Sequence, residues 1–204
     1  MEPAANEPEA HFDLAISDGG MRFKLAEARL TLTGEGIGYE LDGVSEPRSY
    51  QDLRSVRIQS VQTNKSGPSE ARAELAFERG KPLVVHSSSP WGADDPARDP
   101  VFIAFVEELH RRIPPADAAR IRFLRGASES QHQVLLGAFT LLLVALCIAG
   151  TIILYKALQG KVPFMEALLP LLGLAGLCFW IYRMAERNRP GVYLPDELPR
   201  DLFP

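Results

Sequence analysis

Charge is missing from one long stretch of this chain. "VLLGAFTLLLVALCIAGTIILY", Val134 to Tyr155, holds no Asp, Glu, Lys or Arg, no Asn or Gln and no Pro. Across 134–182 the only charged residues are Lys156, Lys161 and Glu166. Cysteine is nearly absent too. Cys147 and Cys178 are the only two, both inside apolar runs, which reads as small apolar filling and not as a disulfide. The rest of the chain has no cysteine, so it needs no oxidising compartment and has no Cys-based zinc cluster. A basic excess is lacking as well. The formal net charge is −4 over 204 residues, against the clustered Lys/Arg that nucleic-acid binding requires. No cofactor or metal is expected, and nucleic acid is not an expected partner.

The acidic start, with Glu2, Glu7, Glu9, Asp13 and Asp18, lacks the positive n-region and apolar core of a signal peptide. The four histidines, His11, His86, His110 and His132, form no His-x₃-His pair. "EELH", Glu107 to His110, reads as the solvated face of a helix in preference to half a metal site. "SSS", Ser87 to Ser89, follows a strand without a Gly-x-Ser-x-Gly around it. "GEGIG" sits in a hairpin and lacks the helix that a phosphate loop requires. No pattern for a reaction emerges, so the expectation is that the chain is not an enzyme.

What is present begins with two apolar runs. At about 1.5 Å per residue, about 20 apolar residues match a hydrocarbon core of about 30 Å. Val134 to Tyr155 meets that length, and a helix satisfies its own backbone groups in lipid. The second run, Val162 to Tyr182, carries Glu166 and Pro170 in its first half. Pro170 is expected to kink the helix or to sit in its first turn. Glu166 has two readings: an interfacial carboxylate near a helix start, or an intramembrane group for proton or ion handling. "KALQGK", 156–161, is short enough to force an antiparallel hairpin. Small residues offer close contact at Ala145 and Ala149 on one helix and Gly173 and Gly176 on the other.

Arginines set the expected orientation. Arg111, Arg112, Arg120, Arg122 and Arg125 precede the first helix, Arg183, Arg187, Arg189 and Arg200 follow the second, and the loop holds two lysines. Both flanks are therefore expected in the cytoplasm, with Tyr155 at one interface and Trp180 and Tyr182 at the other. Arg120, Arg122 and Arg125 have a second reading, as contacts to an anionic membrane surface.

The front part alternates as strands do. "ARLTLTGEGIGYEL" predicts a hairpin turning at "TGEG", "YQDLRSVRIQSV" a strand, and "ARAELAFERGKPLVVHS" a second hairpin. "DPVFIAFVEELHRRIPP" predicts a helix with Asp99 capping, Pro100 in the first turn and Phe102, Phe105, Val106 and Leu109 as one stripe. Strands followed by one amphipathic helix give an α+β class.

In the order of these elements, and in "LTLTGEGIGYEL", "RSYQDLRSVRIQSV" and "VFIAFVEELHRRI", the region 22–113 resembles bacterial pleckstrin-homology-like domains. The resemblance implies a small β-barrel capped by its C-terminal helix and used to bind lipid or protein. The first hairpin loop, Thr33 to Gly36, has none of the basic residues that phosphoinositide-binding members carry there.

The expected organisation is then an acidic flexible N-terminus (1–21), the PH-like domain (22–113), a basic juxtamembrane linker (114–133), a first membrane helix (134–155), an outer loop (156–161), a second membrane helix (162–182) and a Pro-rich cytosolic tail (183–204). Leu194, Leu198, Leu202 and Phe203 of that tail are expected to dock on a partner or on the front domain, the alternative being a disordered end. The expected role is a non-enzymatic accessory or scaffold protein of a bacterial inner membrane. Its partners would be membrane lipid and other membrane subunits, or further copies of itself. The alternative is a small oligomeric transporter or proton-handling component built on Glu166.

Overall fold

A computed structural model of the chain describes residues 8–19, 24–41, 44–61, 70–160 and 163–203. It divides into two units: Met1–Gly126 together with Gly191–Pro204, and Ala127–Pro190. The first unit is thus discontinuous, and the second is inserted into it.

The class is α+β, as expected. Among the described residues nine strands form one open, mixed sheet: β1 (Ala10–Ser17), β2 (Ala26–Leu32), β3 (Gly36–Leu41), β4 (Val44–Ser49), β5 (Leu53–Val61), β6 (Glu70–Phe77), β7 (Leu83–His86), β8 (Arg122–Arg125) and β9 (Gly191–Val192). Their order is β4-β3-β2-β1-β7-β6-β5-β8-β9. β8 runs parallel to β5, and every other neighbouring pair is antiparallel.

Both expected hairpins are present, β2–β3 closing with Thr33 N–H on Gly36 O at 3.0 Å and β6–β7 turning at 78–81. Gly36 is needed where β3 meets β4, because a Cβ there would lie 2.1 Å from Arg48 O. Alternation puts Leu14, Ile16, Leu30, Leu32, Val56, Ile58, Leu75 and Val85 on one face, all buried. Helix α1 (Asp99–Arg112) covers that face. Its stripe of Phe102, Phe105, Val106 and Leu109 is fully buried, and Phe105 meets Phe12 edge-on at 5.6 Å.

Several boundaries differ from the expectation. Residues 10–17, assigned above to a flexible acidic terminus, form β1 in the middle of the sheet. His11 and Asp13 point to solvent and Leu14 and Ile16 to the core, so the acidic residues are one face of a strand. Arg112, itself buried, holds this strand's start by donating to Pro8 O at 2.6 Å and ties in β2 through Leu32 O at 2.9 Å. The linker 114–133 contains a short helix, α2 (Pro115–Ala118), and β8, because "RFLR" has one inward residue, Phe123, that adds a strand to β5. Asp99 does not cap α1. Arg98 stands at the cap in an αR conformation, and the Asp99 carboxyl bonds Ser87 instead, with burial raising its pKa.

The second unit is a pair of helices, α3 (Glu129–Leu158) and α4 (Phe164–Arg187). α3 starts with a capping box, Ser128 accepting from Gln131 N–H and the Gln131 side chain returning to Ser128 N–H. Both α3 and the Leu168–Arg187 part of α4 are long and apolar enough to cross a membrane. The helices are antiparallel: Gly150 faces Leu171, and Phe139 lies 6.3 Å from Tyr182. The close approach is at Gly150, where a Cβ would sit 3.8 Å from the Leu171 side chain. Gly173 and Gly176, expected at the contact, have open space where a Cβ would be, and Ala145 is exposed. Spacing explains this. The less exposed α3 positions are His132, Leu135, Phe139, Leu142, Leu146, Ala149, Gly150, Ile153 and Ala157, a seam with a period near 3.5 that leaves Ala145 outside. Thr140 and Thr151 donate back to Leu136 O and Cys147 O, so their hydroxyls need no outside partner. Pro170 lies inside α4 and removes the N–H that would reach the Glu166 carbonyl.

Candidate functional site

Two side-chain clusters stand out in the sheet unit. The first is where the tail returns. β9 pairs with β8 at Leu124↔Val192 and Arg125↔Gly191, so the residues just before and just after the helical pair are hydrogen-bonded to each other. Beyond β9, Tyr193, Leu202 and Phe203 are buried against the core, while Leu194 is exposed. The tail therefore docks on its own domain.

His110 of α1 is the hub of this docking. Its Nδ1 donates to Val106 O at 2.7 Å, so in the neutral ring Nε2 accepts from the Tyr193 hydroxyl at 2.8 Å. The His110 ring lies 5.3 Å from Phe123 and 5.7 Å from Tyr193. Burial lowers the pKa of His110 and raises that of Tyr193. Both nitrogens of His110 are committed, so "EELH" is neither half a metal site nor a fully solvated face. Glu108 on the same helix bonds Arg111 at 2.7 Å and Arg112 at 2.5 Å, and these hydrogen bonds, Arg111's first, hold its pKa down to about 2. Further along, Phe203 meets Phe102 edge-on at 6.3 Å, Asp201 pairs with Arg125 at 2.5 Å and Arg200 reaches Glu107 at 3.8 Å. An open groove of about 520 Å³ runs along this tail, lined by Arg125, Val192, Leu194, Leu198 and Arg200 among others.

The second cluster lies on the opposite face, across three neighbouring strands. Ser17 ends β1, His86 ends β7 and Glu70 begins β6. His86 sits opposite Ala15 on one side and Arg72 on the other, so Ser17 and Glu70 are its diagonal neighbours. Glu70 Oε1 accepts from His86 Nδ1 at 2.9 Å and from Ser88 Oγ at 2.9 Å, and Ser17 Oγ lies 3.1 Å from His86 Nε2. The order hydroxyl–imidazole–carboxylate is that of an activated nucleophile. Ser17, His86 and Glu70 are only 4%, 8% and 9% exposed, and none of them lines the groove along the tail. As it stands the chain of bonds satisfies buried polar groups and cross-links three strands.

The residues singled out from the sequence do not gather into one site. Arg120 pairs with Asp117 and donates to Gln51 O at 3.2 Å, and Arg125 is held by Asp201. Arg122 is exposed and has no bonding partner among the described residues. Glu166 lies in the first turn of α4, and its side chain is outside the described residues. Sequence reasoning missed Tyr193 and joined neither His110 to it nor Ser17, His86 and Glu70 to one another. Strand register and tail docking alone bring these together, across separations of 83 residues for His110–Tyr193 and 69 for Ser17–His86.

No family model matches the chain, and no curated protein matches it. Among the described residues no group of three or more His, Cys, Asp or Glu is placed to hold a metal ion.

Proposed function

We propose that this chain is a membrane-anchored accessory or scaffold protein of a bacterial inner membrane, with a PH-like cytosolic module that binds a protein partner. The observation that carries the reading is the apolar helical pair inserted between β8 and β9. A water-soluble helix keeps its apolar residues on one stripe, whereas α3 has no buried residue and is apolar all round. Lipid is the solvent that suits it. The PH-like reading is supported by the two meanders, β1–β4 and β5–β7, joined through β1 and β7 and followed by α1. The non-enzymatic reading is supported by the burial of the Ser17–His86–Glu70 chain, which has a nucleophile's order but whose polar groups are bonded to one another and turned from solvent. The cytosolic placement of the sheet unit rests on the arginine excess flanking both helices.

The test is cysteine accessibility in intact cells, in a Cys147→Ser, Cys178→Ala background. Gln159→Cys, in the helix connection, is expected to react with a membrane-impermeant maleimide. Glu40→Cys, on an exposed position of β3, is expected to react only after permeabilisation. The opposite pattern overturns the orientation, and reaction of both overturns the membrane anchor.

A further inference from the structure

The sheet face that turns away from the core ends in a patch with a distinct composition. Along β8, Phe123 points inward to His110 and Tyr193, so Arg122 and Leu124 point outward. Val192 sits directly opposite Leu124 and is 75% exposed. Tyr193 turns in again, and Leu194 turns out, 64% exposed. Arg122 is exposed without a bonding partner among the described residues, and the carboxylate of Asp201 nearby is already taken by Arg125. One edge of the domain therefore shows two large, exposed aliphatics, a half-buried leucine and a guanidinium unpaired among the described residues.

We infer that Arg122, Leu124, Val192 and Leu194 form an interfacial docking patch for an anionic lipid leaflet. The inference rests on the membrane reading given above and adds to it the surface that meets the headgroups. Three considerations favour lipid as the occupant. β8 is joined to α3 by residues 126–128 alone, and α4 to β9 by residues 188–190 alone. Each connection spans at most about 14 Å when extended, so this edge is the part of the sheet with the shortest chain path to the helices. Second, aliphatic side chains beside a cation are the composition of surfaces that sit at the headgroup boundary of anionic membranes. Third, Arg120 and Arg125 are already paired, whereas Arg122 is exposed with no bonding partner among the described residues and is able to meet a phosphate. The basic juxtamembrane contact expected from the sequence thus narrows to one arginine and gains three aliphatic residues from two separate segments.

The experiment uses the full chain in the Cys147→Ser, Cys178→Ala background, reconstituted into vesicles of phosphatidylcholine with and without phosphatidylglycerol. Single cysteines at Val192→Cys, Leu194→Cys, Glu40→Cys and Ile152→Cys carry a polarity-sensitive fluorophore, and the vesicles carry lipids with a quencher near the headgroup or in the acyl chain. The expected result is headgroup-depth quenching at 192 and 194 several-fold above that at 40, stronger with phosphatidylglycerol and weakened by Arg122→Glu. Quenching at 192 and 194 no greater than at 40, while 152 is quenched by the acyl-chain probe, overturns the patch and leaves the membrane anchor standing. Energy transfer between labels at 192 on different copies, in place of lipid quenching, overturns it in favour of self-association. Absence of quenching at 152 as well removes the membrane reading on which the inference rests.

Discussion

Two helices of this protein use the same kinds of side chain in opposite ways. In α1 the apolar residues form one stripe, and Phe102, Phe105, Val106 and Leu109 are each 0% exposed. In α3 the apolar residues cover every side, and Val134 and Leu141 are each 73% exposed. Leaving such area in water costs about 25 cal/mol per Å², a cost that α1 avoids through the sheet and α3 avoids only if its surroundings are apolar. The lesson is that burial has a different reference in each unit. In the sheet unit a side chain is stabilised by being covered with protein, and in the helical unit, on the membrane reading proposed above, by being covered with lipid.

The most severe way to break this comparison is to truncate one apolar residue on each side of it. Phe105→Ala is expected to cost about 3–5 kcal/mol, out of a typical total of about 5–15 for a domain. Leu141→Ala is expected to cost only about half a kcal/mol of insertion. Thermal melts of the purified chain, followed by a signal from the sheet unit, check this: a large downward shift for the first and almost none for the second. The converse change places a charge on each side. Val144→Arg, near the middle of α3, is expected to cost about 2.5–3.5 kcal/mol of insertion, read as loss from the membrane fraction. Glu40→Arg, on a solvated strand position, is expected to be nearly silent.

How much of this was legible in the sequence differs between the two units for the same physical reason. The helical pair could be read, because an apolar run of that length without charge is too long for a domain of this size to bury and fits the thickness of a bilayer. Its ends could not, since the polar turns that extend the helices, to Glu129 and Leu158 in α3 and to Arg187 in α4, carry no such signal. Its internal packing could not. Small residues at Gly173 and Gly176 looked like a contact, but the seam runs through Gly150 and Leu171. In the sheet unit the stripe of α1 was clear from its 3.6 period. β1 was hidden, since Glu9 and Asp13 gave its neighbourhood the look of a solvated tail while its alternation is short. β8 was hidden by its arginines, which read as a membrane flank. For the tail, docking on a partner, docking on its own domain and a disordered end were all open. Its attachment depends on Tyr193 meeting His110 from far along the chain, and no local pattern announces that.

Smaller effects sharpen the description of the sheet unit. Glu108→Gln is expected to cost about 1–3 kcal/mol, the range for hydrogen bonds to charged groups, since it weakens the bonds to Arg111 and the buried Arg112. The folded-state pKa of Glu108, about 2, lies below its ordinary 4.5. Its contribution is therefore fully present above pH 4.5 and is lost as pH falls toward 2. A pH series of melts is expected to show a stability drop in that window for the natural chain and a flatter profile for the Gln variant. Smallest is the tail contact. Tyr193→Phe removes the donor to His110 and is expected to cost about 1–2 kcal/mol. Because burial depresses the His110 pKa, protonation opposes the folded form, so tail docking is expected to weaken as pH falls below 6.5. Hydrogen exchange at 191–203, compared above and below that pH, reads it directly.

The central claim is that a lipid-spanning pair of helices is inserted into a sheet domain between its paired strands β8 and β9. The most direct test replaces 129–187 with a short Gly/Ser turn and compares the two proteins by alkaline carbonate fractionation and thermal melting. The account predicts that the full chain stays in the membrane pellet, while the shortened chain is soluble and melts cooperatively with the tail still docked. A full chain released by carbonate, or a shortened chain that is soluble but lacks a cooperative melt, would contradict it.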